Sequence, residues 1–242
     1  GFFVISEHFT VRIRFRTYAL LIVFLAGFLR IQRLPELAKI SYDESRDLIV
    51  ERQIITQRKL MLIGPETTVG GQTFYFGPLH YYLMSPALAV FRFYPLGPMY
   101  WTAILGAITA LVIYITNRSI FSGLSYAVFP LAVIYNRWSW NPNTIPLFVA
   151  LALLFYSKRK IFLAGVFMGL AIQLHFTAAL ALVLVCSYLV IRNKGIKLAT
   201  NLLLGAIVGI SPLVLFDLRH DLFNLRSFMQ SFSSTTAFGR EL

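Results

Sequence analysis

The acidic residues of this chain are unevenly distributed. Of its ten carboxylates, six lie between Glu36 and Glu66, and no further Asp or Glu occurs before Asp217. The intervening stretch consists of apolar runs separated by short basic or polar segments, a pattern typical of a chain that crosses a bilayer several times. We therefore expect a polytopic membrane protein whose acid-dependent chemistry is confined to one loop near the start of the chain.

The composition agrees with this interpretation. Of the 242 residues, 57% are hydrophobic and 13% are charged, against roughly 25% charged residues in an average soluble domain. The net charge of +12 does not indicate a nucleic-acid partner, because Lys and Arg cluster at the ends of apolar runs, where they anchor helices to lipid headgroups. The single cysteine, Cys186, excludes an intramolecular disulfide.

The apolar runs predict an all-α fold, with residues 1–242 as one transmembrane domain. The run at 17–29 has no small-residue cleavage site after it, so we expect an uncleaved first span. Residues 34–98 are expected to form an external first loop that carries interfacial helices. Six further spans are predicted at residues 99–116, 120–135, 144–156, 161–174, 176–191 and 198–216.

The run at 79–94 decides the topology of everything that follows it. If it does not cross, the N-terminal arginines share the cytoplasmic side with Arg118, the cluster at 158–160 and the cations at 192–197, as the positive-inside rule requires. If it crosses, the last two clusters move outside. We therefore expect 79–94 to lie in the outer interface. The outer face then holds the segment 136–143, His175 and residues 217–221.

The acidic loop supports two interpretations that the sequence leaves open. Ser41 and Glu44 have the spacing of a capping box, and Asp43 would lie in the first turn of a helix that runs to about Lys59. In the first interpretation the acids do no more than start a helix. In the second, the Asp43–Glu44 pair takes part in chemistry. Residues 64–71 are either an ordered loop over a site or a plain connector.

Several motifs in this order resemble the membrane glycosyltransferases of the GT-C fold. They are the Asp-Glu pair that opens an external loop, a Gly-Pro-Leu-x-Tyr-Tyr element at 77–82, and an Asn-Pro-Asn segment at 141–143. The resemblance is closest to glycosyltransferase family 39, the protein O-mannosyltransferase and aminoarabinose transferase group. It implies transfer of a sugar from a polyprenyl phosphate to a lipid, glycan or protein acceptor outside the cytoplasm, with inversion.

The resemblance also implies roles for single residues. Asp43 matches the family's catalytic acidic residue, which would accept or orient the proton of the acceptor hydroxyl, and Glu44 is the second candidate. Asn141 and Asn143 stand where many relatives have another acid. A divalent metal is therefore possible but not supported, because neutral amides are weaker ligands for such an ion. We predict no certain cofactor and no metal-ligating residue.

The donor phosphate needs cationic and hydrogen-bonding groups on the same face. The candidates for substrate binding are His80, Tyr81, Arg137, Asn141, Asn143, His175 and Arg219. Three of them have structural alternatives. Arg137 would lie at the membrane interface beside its flanking tryptophans, His175 would serve a turn between spans, and Arg219 would pair with Asp217 or Asp221.

Other functions and other meanings of the sequence remain open. A transporter or a lipid-handling scaffold without chemistry is one alternative, and an inactive fragment of a glycosyltransferase is another. The chain begins without Met and stops after a polar stretch, so we expect it to be truncated. The two Gly-x-x-x-Gly motifs at 165–169 and 205–209 predict close helix packing. The expected location is the cytoplasmic membrane, with the active face outside.

Overall fold

The computed structural model describes residues 2–191 and 195–238. Within these residues the chain is mainly helical, as the sequence predicted. The first helices are α1 (Phe2–Ile31), α2 (Leu34–Leu37), α3 (Tyr42–Gln57), α4 (Leu79–Val90) and α5 (Gly97–Asn117). They are followed by α6 (Ile120–Val128), α7 (Pro130–Tyr135), a 3₁₀ turn (Asn141–Thr144), α8 (Ile145–Ser157), α9 (Ile161–Leu174), α10 (Ala178–Ile191), α11 (Ile196–Gly209), α12 (Ser211–Arg219) and α13 (Phe223–Phe238).

A short β-hairpin lies between α3 and α4 within this mainly helical fold. Strands β1 (Glu66–Val69) and β2 (Gln72–Tyr75) pair antiparallel, with Glu66 opposite Tyr75. Gly70 and Gly71 join them with φ angles of 58° and 75°, which is the backbone that a two-residue hairpin turn requires. The segment 64–71 is therefore ordered, since it includes the first strand and the turn of this hairpin, and its expected position over a site stays a prediction. A Gly-Gly pair between β-branched and aromatic residues was the signal for this hairpin.

Two of the predicted spans are broken helices. The run at 120–135 divides into α6 and α7 at Phe129, whose ψ of 117° is extended, because the residue before a proline disfavours helical backbone. The run at 198–216 divides at Ile210 into α11 and α12, which are bent by 67°, and a proline lies at the start of α12. The other predicted spans after the first loop each form one helix.

Helices α9 and α11 form the closest pair in the bundle, and glycines allow it. A Cβ on Gly165 would overlap the carbonyl oxygen of Leu202, and one on Gly205 would overlap that of Phe162. The prediction that both Gly-x-x-x-Gly motifs serve close helix packing is confirmed. The surrounding core is formed by apolar side chains of α5, α8, α9, α10 and α11, while α1 packs against α5 and α6 in a second cluster.

The polar segments meet at one end of the bundle, which we call the acidic end. The hairpin reaches α9 through a hydrogen bond from the Gly77 N–H to the Gln173 carbonyl at 2.8 Å. It reaches α13 through a bond from the Tyr75 N–H to the Asn224 side chain at 2.8 Å. The 3₁₀ turn bonds α9 through the Asn141 amide and the Leu174 carbonyl.

The opposite end, which we call the basic end, collects cations. Arg16, Arg118 and Lys158 line one cleft there, and Arg159 lines a second with the start of α11. Arg16 lies about 20 Å along α1 from Arg30, which is in the last turn of that helix, at a rise of 1.5 Å per residue. Arg192 and Lys194, which were predicted to join this basic group, lie outside the described residues.

Length and composition give partial support for membrane crossing. In the part of the chain that the structure describes, α5 is the one helix that is both long and apolar enough to span a bilayer. Helices α11 and α12 would make a second if the bent pair formed one span. Helices α9 and α10 are apolar but shorter. The full set of spans stays a prediction.

Candidate functional site

Helix α3 begins with the capping box that the sequence predicted. The carboxylate of Glu44 accepts hydrogen bonds from the Ser41 backbone N–H at 2.8 Å and from the Ser41 hydroxyl. Glu44 is buried as a result. Because Glu44 satisfies the free backbone N–H of Ser41 at the helix start, it has a structural role and is the weaker of the two carboxylates for contact with a substrate.

Asp43, the residue before Glu44, has a different environment. Its side chain is 45% exposed and meets the guanidinium of Arg46 at 3.0 Å between Oδ1 and Nη1. The side chain therefore has a fixed direction and remains open to solvent. Among the predicted catalytic residues, Asp43 has the geometry of a group that could reach an acceptor hydroxyl.

Arg46 connects this exposed carboxylate to a buried one. Its Nε and Nη2 atoms donate to Oδ1 of Asp47 at 3.0 and 2.9 Å, and the Asp47 side chain is only 2% exposed. Burial alone would lower the pKa of Arg46, but the charge of Asp47 and its hydrogen bond to Arg46 raise it, and the charge of Asp43 adds to this effect. A guanidinium held by two carboxylates loses its freedom to move, so Arg46 fixes the direction of Asp43.

Behind Arg46 lies a buried group of ionisable residues where α3 packs against α4. Asp47, Glu51 and His80 are each at most 1% exposed. His80 Nε2 lies 3.5 Å from Asp47 Oδ2, and its ring also faces the backbone of Ser139. Oδ2 of Asp47 and Oε2 of Glu51 have no hydrogen-bond partner among the described residues, which makes this group costly to bury.

Burial sets the protonation of this group. Desolvation raises the pKa of Asp47 to about 6, although the Arg46 charge opposes the shift. It raises the pKa of Glu51 well above its ordinary value, and the Asp47 charge adds to that effect. Desolvation lowers the pKa of His80 to about 4. His80 is therefore neutral at neutral pH and does not form a true ion pair with Asp47.

Tyr81 belongs to the same group. Its side chain is almost fully buried, and it interacts with Arg46 and Asp47. Burial raises the pKa of the phenol, and the charge of Asp47 raises it further. Tyr81 therefore remains a neutral hydrogen-bonding group. The structure thus brings Asp43, His80 and Tyr81 together through Arg46 and Asp47.

The three candidate residues of the segment 136–143 donate hydrogen bonds to backbone carbonyl groups. Asn141 donates to the Leu174 carbonyl at 2.5 Å, and Asn143 donates to the carbonyls of Tyr135 and Trp138 at 2.7 and 3.1 Å. Arg137 donates to the Leu29 carbonyl at 2.6 Å. Leu174, Tyr135 and Leu29 lie in the last turns of their helices, where carbonyls lack intrahelical partners. All three candidate residues therefore have structural roles, which the sequence analysis assigned only to Arg137 and in a different form.

His175 and Arg219 lie on other elements of the chain. His175 follows α9, stacks on Phe76 with ring centroids 4.9 Å apart, and is half-buried, which lowers its pKa. Its Nδ1 lies 2.9 Å from the Thr177 hydroxyl. Arg219 is exposed at the end of α12. Asp217, one of the two acids expected to pair with it, instead accepts the backbone N–H of Asn224 at 2.9 Å at the start of α13.

Arg46, Asp47 and Glu51 were missed as candidate residues. Asp43, Asp47 and Glu51 follow one another at four-residue spacing, which places three carboxylates on one face of a helix. That signal was present in the sequence. Across the described residues, no group of three or more His, Cys, Asp or Glu side chains has the arrangement of a metal site, and the Arg46 guanidinium binds Asp43 and Asp47.

Comparisons with protein-family models, with curated proteins and with solved structures find no match to this chain.

Proposed function

We propose that this chain transfers a sugar from a polyprenyl-phosphate-linked donor to an acceptor on the outer side of the cytoplasmic membrane, with inversion. The observation that carries the proposal is the half-exposed carboxylate of Asp43, held by Arg46 at the head of α3. The motif order that resembles glycosyltransferase family 39 supports the same reaction. The rest of the acidic end would hold this carboxylate in place.

In the proposed reaction, Asp43 accepts the proton of the acceptor hydroxyl. The acceptor oxygen forms a bond to the anomeric carbon from the face opposite the phosphate. The bond between that carbon and the phosphate oxygen breaks, and its electron pair leaves with the lipid phosphate. A positioned carboxylate of this kind contributes roughly 10²–10⁴-fold to the rate.

Arg46 and Asp47 would act as positioning residues in this reaction. Asp47 is too buried to touch a substrate, and Arg46 already binds both carboxylates. Of the residues predicted to bind the donor phosphate, His80 is fully buried. His175 is the more accessible imidazole, at the turn after α9 and beside the hairpin. We propose His175 as the phosphate contact.

The proposed orientation puts the acidic end outside and the basic end in the cytoplasm. The gathering of Arg16, Arg118 and Lys158 at one end supports it, because cations are enriched on the cytoplasmic side. A single cysteine placed by Arg159→Cys in a Cys186→Ala background tests it. We expect an impermeant thiol reagent added to intact cells to leave this position unlabelled, and strong labelling would reverse the orientation.

A proton-coupled transporter is the second candidate. The buried group of Asp47, Glu51 and His80 favours it, since buried carboxylates and imidazoles form the proton relays of such proteins. The group lies where α3 meets α4, however, next to an exposed Asp43 rather than within one of the long apolar helices. A transporter would move protons in vesicles without consuming a sugar donor.

The donor decides whether the protein is the proposed enzyme. Purified protein would be given a polyprenyl-phosphate sugar or the matching nucleotide sugar, each labelled in the sugar, together with a membrane extract as the source of acceptors. We expect release of polyprenyl phosphate and labelling of an extract component only with the lipid-linked donor. Asp43→Asn should abolish both signals, while Glu66→Gln, an exposed acid on β1, should retain them. Turnover with the nucleotide sugar alone would contradict the proposal.

A further inference from the structure

A second candidate site lies at the basic end, away from the acidic residues. A cleft of about 1170 Å³ opens there between α1, α5, α6 and α8. Its lining combines cations with aromatic and aliphatic side chains and includes no acid among the described residues: Phe15, Arg16, Tyr18, Tyr114, Arg118 and Lys158 are the principal members. The proposed sugar transfer makes no use of this cleft.

Three cations converge on the cleft without described counter-charges. Arg16, Arg118 and Lys158 come from three different elements, and the four ion pairs among the described residues involve other side chains. Arg118 and Lys158 follow the ends of α5 and α8, where the helix dipole favours a cation. Arg16 lies inside α1, directly before the apolar run that begins at residue 17. Like charges that face one cleft repel unless an anion lies between them.

The remaining walls of the cleft are apolar. Phe15 and Tyr114 stack with ring centroids 4.9 Å apart. Leu20 and Phe24 on α1 are each 72% exposed and Phe121 on α6 is 77% exposed. Four-residue spacing places Arg16, Leu20 and Phe24 on one face of α1, and Phe121 follows Ile120, which lines the cleft. A site with cations at its mouth and an apolar surface beside it matches an amphiphile with an anionic head.

We propose that this cleft binds the phosphate of an anionic phospholipid. The three cations contact the phosphate, and the acyl chains lie along the exposed apolar side chains of α1 and α6. Free inorganic phosphate would use the cations and leave the apolar walls without a partner. A zwitterionic phospholipid would use the walls but carry its own cation into a basic cleft.

Native mass spectrometry of the purified protein in detergent would test the proposal with phosphatidylglycerol as the probe. We expect one tightly bound phosphatidylglycerol per chain, with phosphatidylcholine at least tenfold weaker. Neutralising all three cations as Arg16→Gln, Arg118→Gln and Lys158→Gln should weaken binding by well over tenfold, since each cation near an anionic surface contributes about fivefold.

The matched control removes the same charge from the same end. Arg159→Gln, Lys160→Gln and Lys197→Gln alter exposed cations that do not line this cleft, and binding should stay within about threefold of wild type. Equal loss in both triple variants would mean a general basic surface and would overturn the site. Displacement of the lipid by millimolar inorganic phosphate would assign the cleft to the free anion and overturn the lipid. If the triple variant does not fold, Arg118→Gln and Lys158→Gln alone should each show the fivefold loss.

Discussion

The two ends of the helix bundle differ in the exposure of their charged side chains. At the acidic end, Asp47, Glu51 and His80 are buried between α3 and α4, with Arg46 bound to Asp47. At the basic end, Arg16, Arg118 and Lys158 are exposed around a cleft. Buried charges cost free energy unless their partners are in place, whereas exposed ones cost little. The charged side chains of the acidic end therefore have a fixed geometry, and those of the basic end are open to solvent, where the proposed lipid headgroup would bind.

The largest effect that this comparison predicts is on turnover at the acidic end. Asp43→Asn keeps the size of the side chain and one oxygen that can accept from Arg46, so α3 should begin as before. It removes the proposed proton acceptor, and we expect the proposed sugar transfer to fall by roughly 10²–10⁴-fold. The measurement is turnover of the polyprenyl-phosphate donor, beside a thermal melt that shows whether the fold survives.

A variant at the basic end provides the control for this experiment. Arg118→Gln also changes one charge, but at the other end of the bundle, and its turnover should be close to that of wild type. Near wild-type turnover by Asp43→Asn would remove Asp43 from the mechanism. Glu44 would then be the remaining candidate in the loop, despite its role in the cap.

The second prediction compares one cation from each end. Arg46→Gln leaves Asp47 buried without its partner, so we expect a loss of about 3–5 kcal/mol in the free energy of unfolding. Arg118→Gln removes an exposed cation, and its effect should stay within about 0.5 kcal/mol. Equilibrium unfolding of both variants in the same detergent measures the difference. Equal losses would show that the two ends do not differ in this way.

The third prediction concerns pH and uses the opposite signs of two buried groups. The pKa of His80 falls from 6.5 to about 4 in the fold, so the unfolded chain binds its proton first and His80 lowers stability as pH falls through this window. The pKa of Asp47 rises from 3.8 to about 6, so the folded chain binds that proton first. Asp47 therefore raises stability as pH falls through about 6. The two contributions oppose each other, and each is of the order of 3 kcal/mol.

Single substitutions separate these contributions. As pH falls from 6.5 to 4, the free energy of unfolding of His80→Gln should rise relative to that of wild type, because this variant lacks the imidazole whose protonation destabilises the fold. Asp47→Asn should lose stability relative to wild type over the same range. Glu51, whose pKa is also raised by burial, contributes to the pH dependence of stability in the same direction as Asp47. Denaturant midpoints at several pH values measure the slopes, and identical slopes in the two variants would mean that neither group is buried as described.

The sequence predicted the helices better than it predicted the contacts of individual side chains. The helix Ile161–Leu174 was predicted to the residue, because an apolar run between a basic cluster and a polar turn leaves little choice of ends. The breaks at Phe129 and Ile210 were missed, although Pro130 directly follows the first and a proline lies at the start of α12 after the second, and proline limits helical backbone. These errors concern signals that were local and could have been used.

The site was only partly predictable for a different reason. Four-residue spacing indicates that Asp43, Asp47 and Glu51 share a face of α3, but it does not show that this face packs on His80. That contact depends on how the hairpin returns the chain to α4. Likewise, the amides of Asn141 and Asn143 bond carbonyls at the ends of α9 and α7. Such partners are set by tertiary packing, and the type of residue alone did not reveal them.

The smallest predicted effect distinguishes a capping role from a catalytic role, and it again compares a variant at the acidic end with one at the basic end. Ser41→Ala removes the hydroxyl that donates to Glu44, and we expect a loss of about 0.5–2 kcal/mol in stability with turnover largely retained. Ser119 stands at the same position before α6, but its side chain makes no cap hydrogen bond, so Ser119→Ala should be nearly neutral. Thermal melts and donor turnover of both variants provide the test. If Ser41→Ala abolished turnover as fully as Asp43→Asn while the fold persisted, the carboxylates would act through the position of α3, and Asp43 would lose its special role.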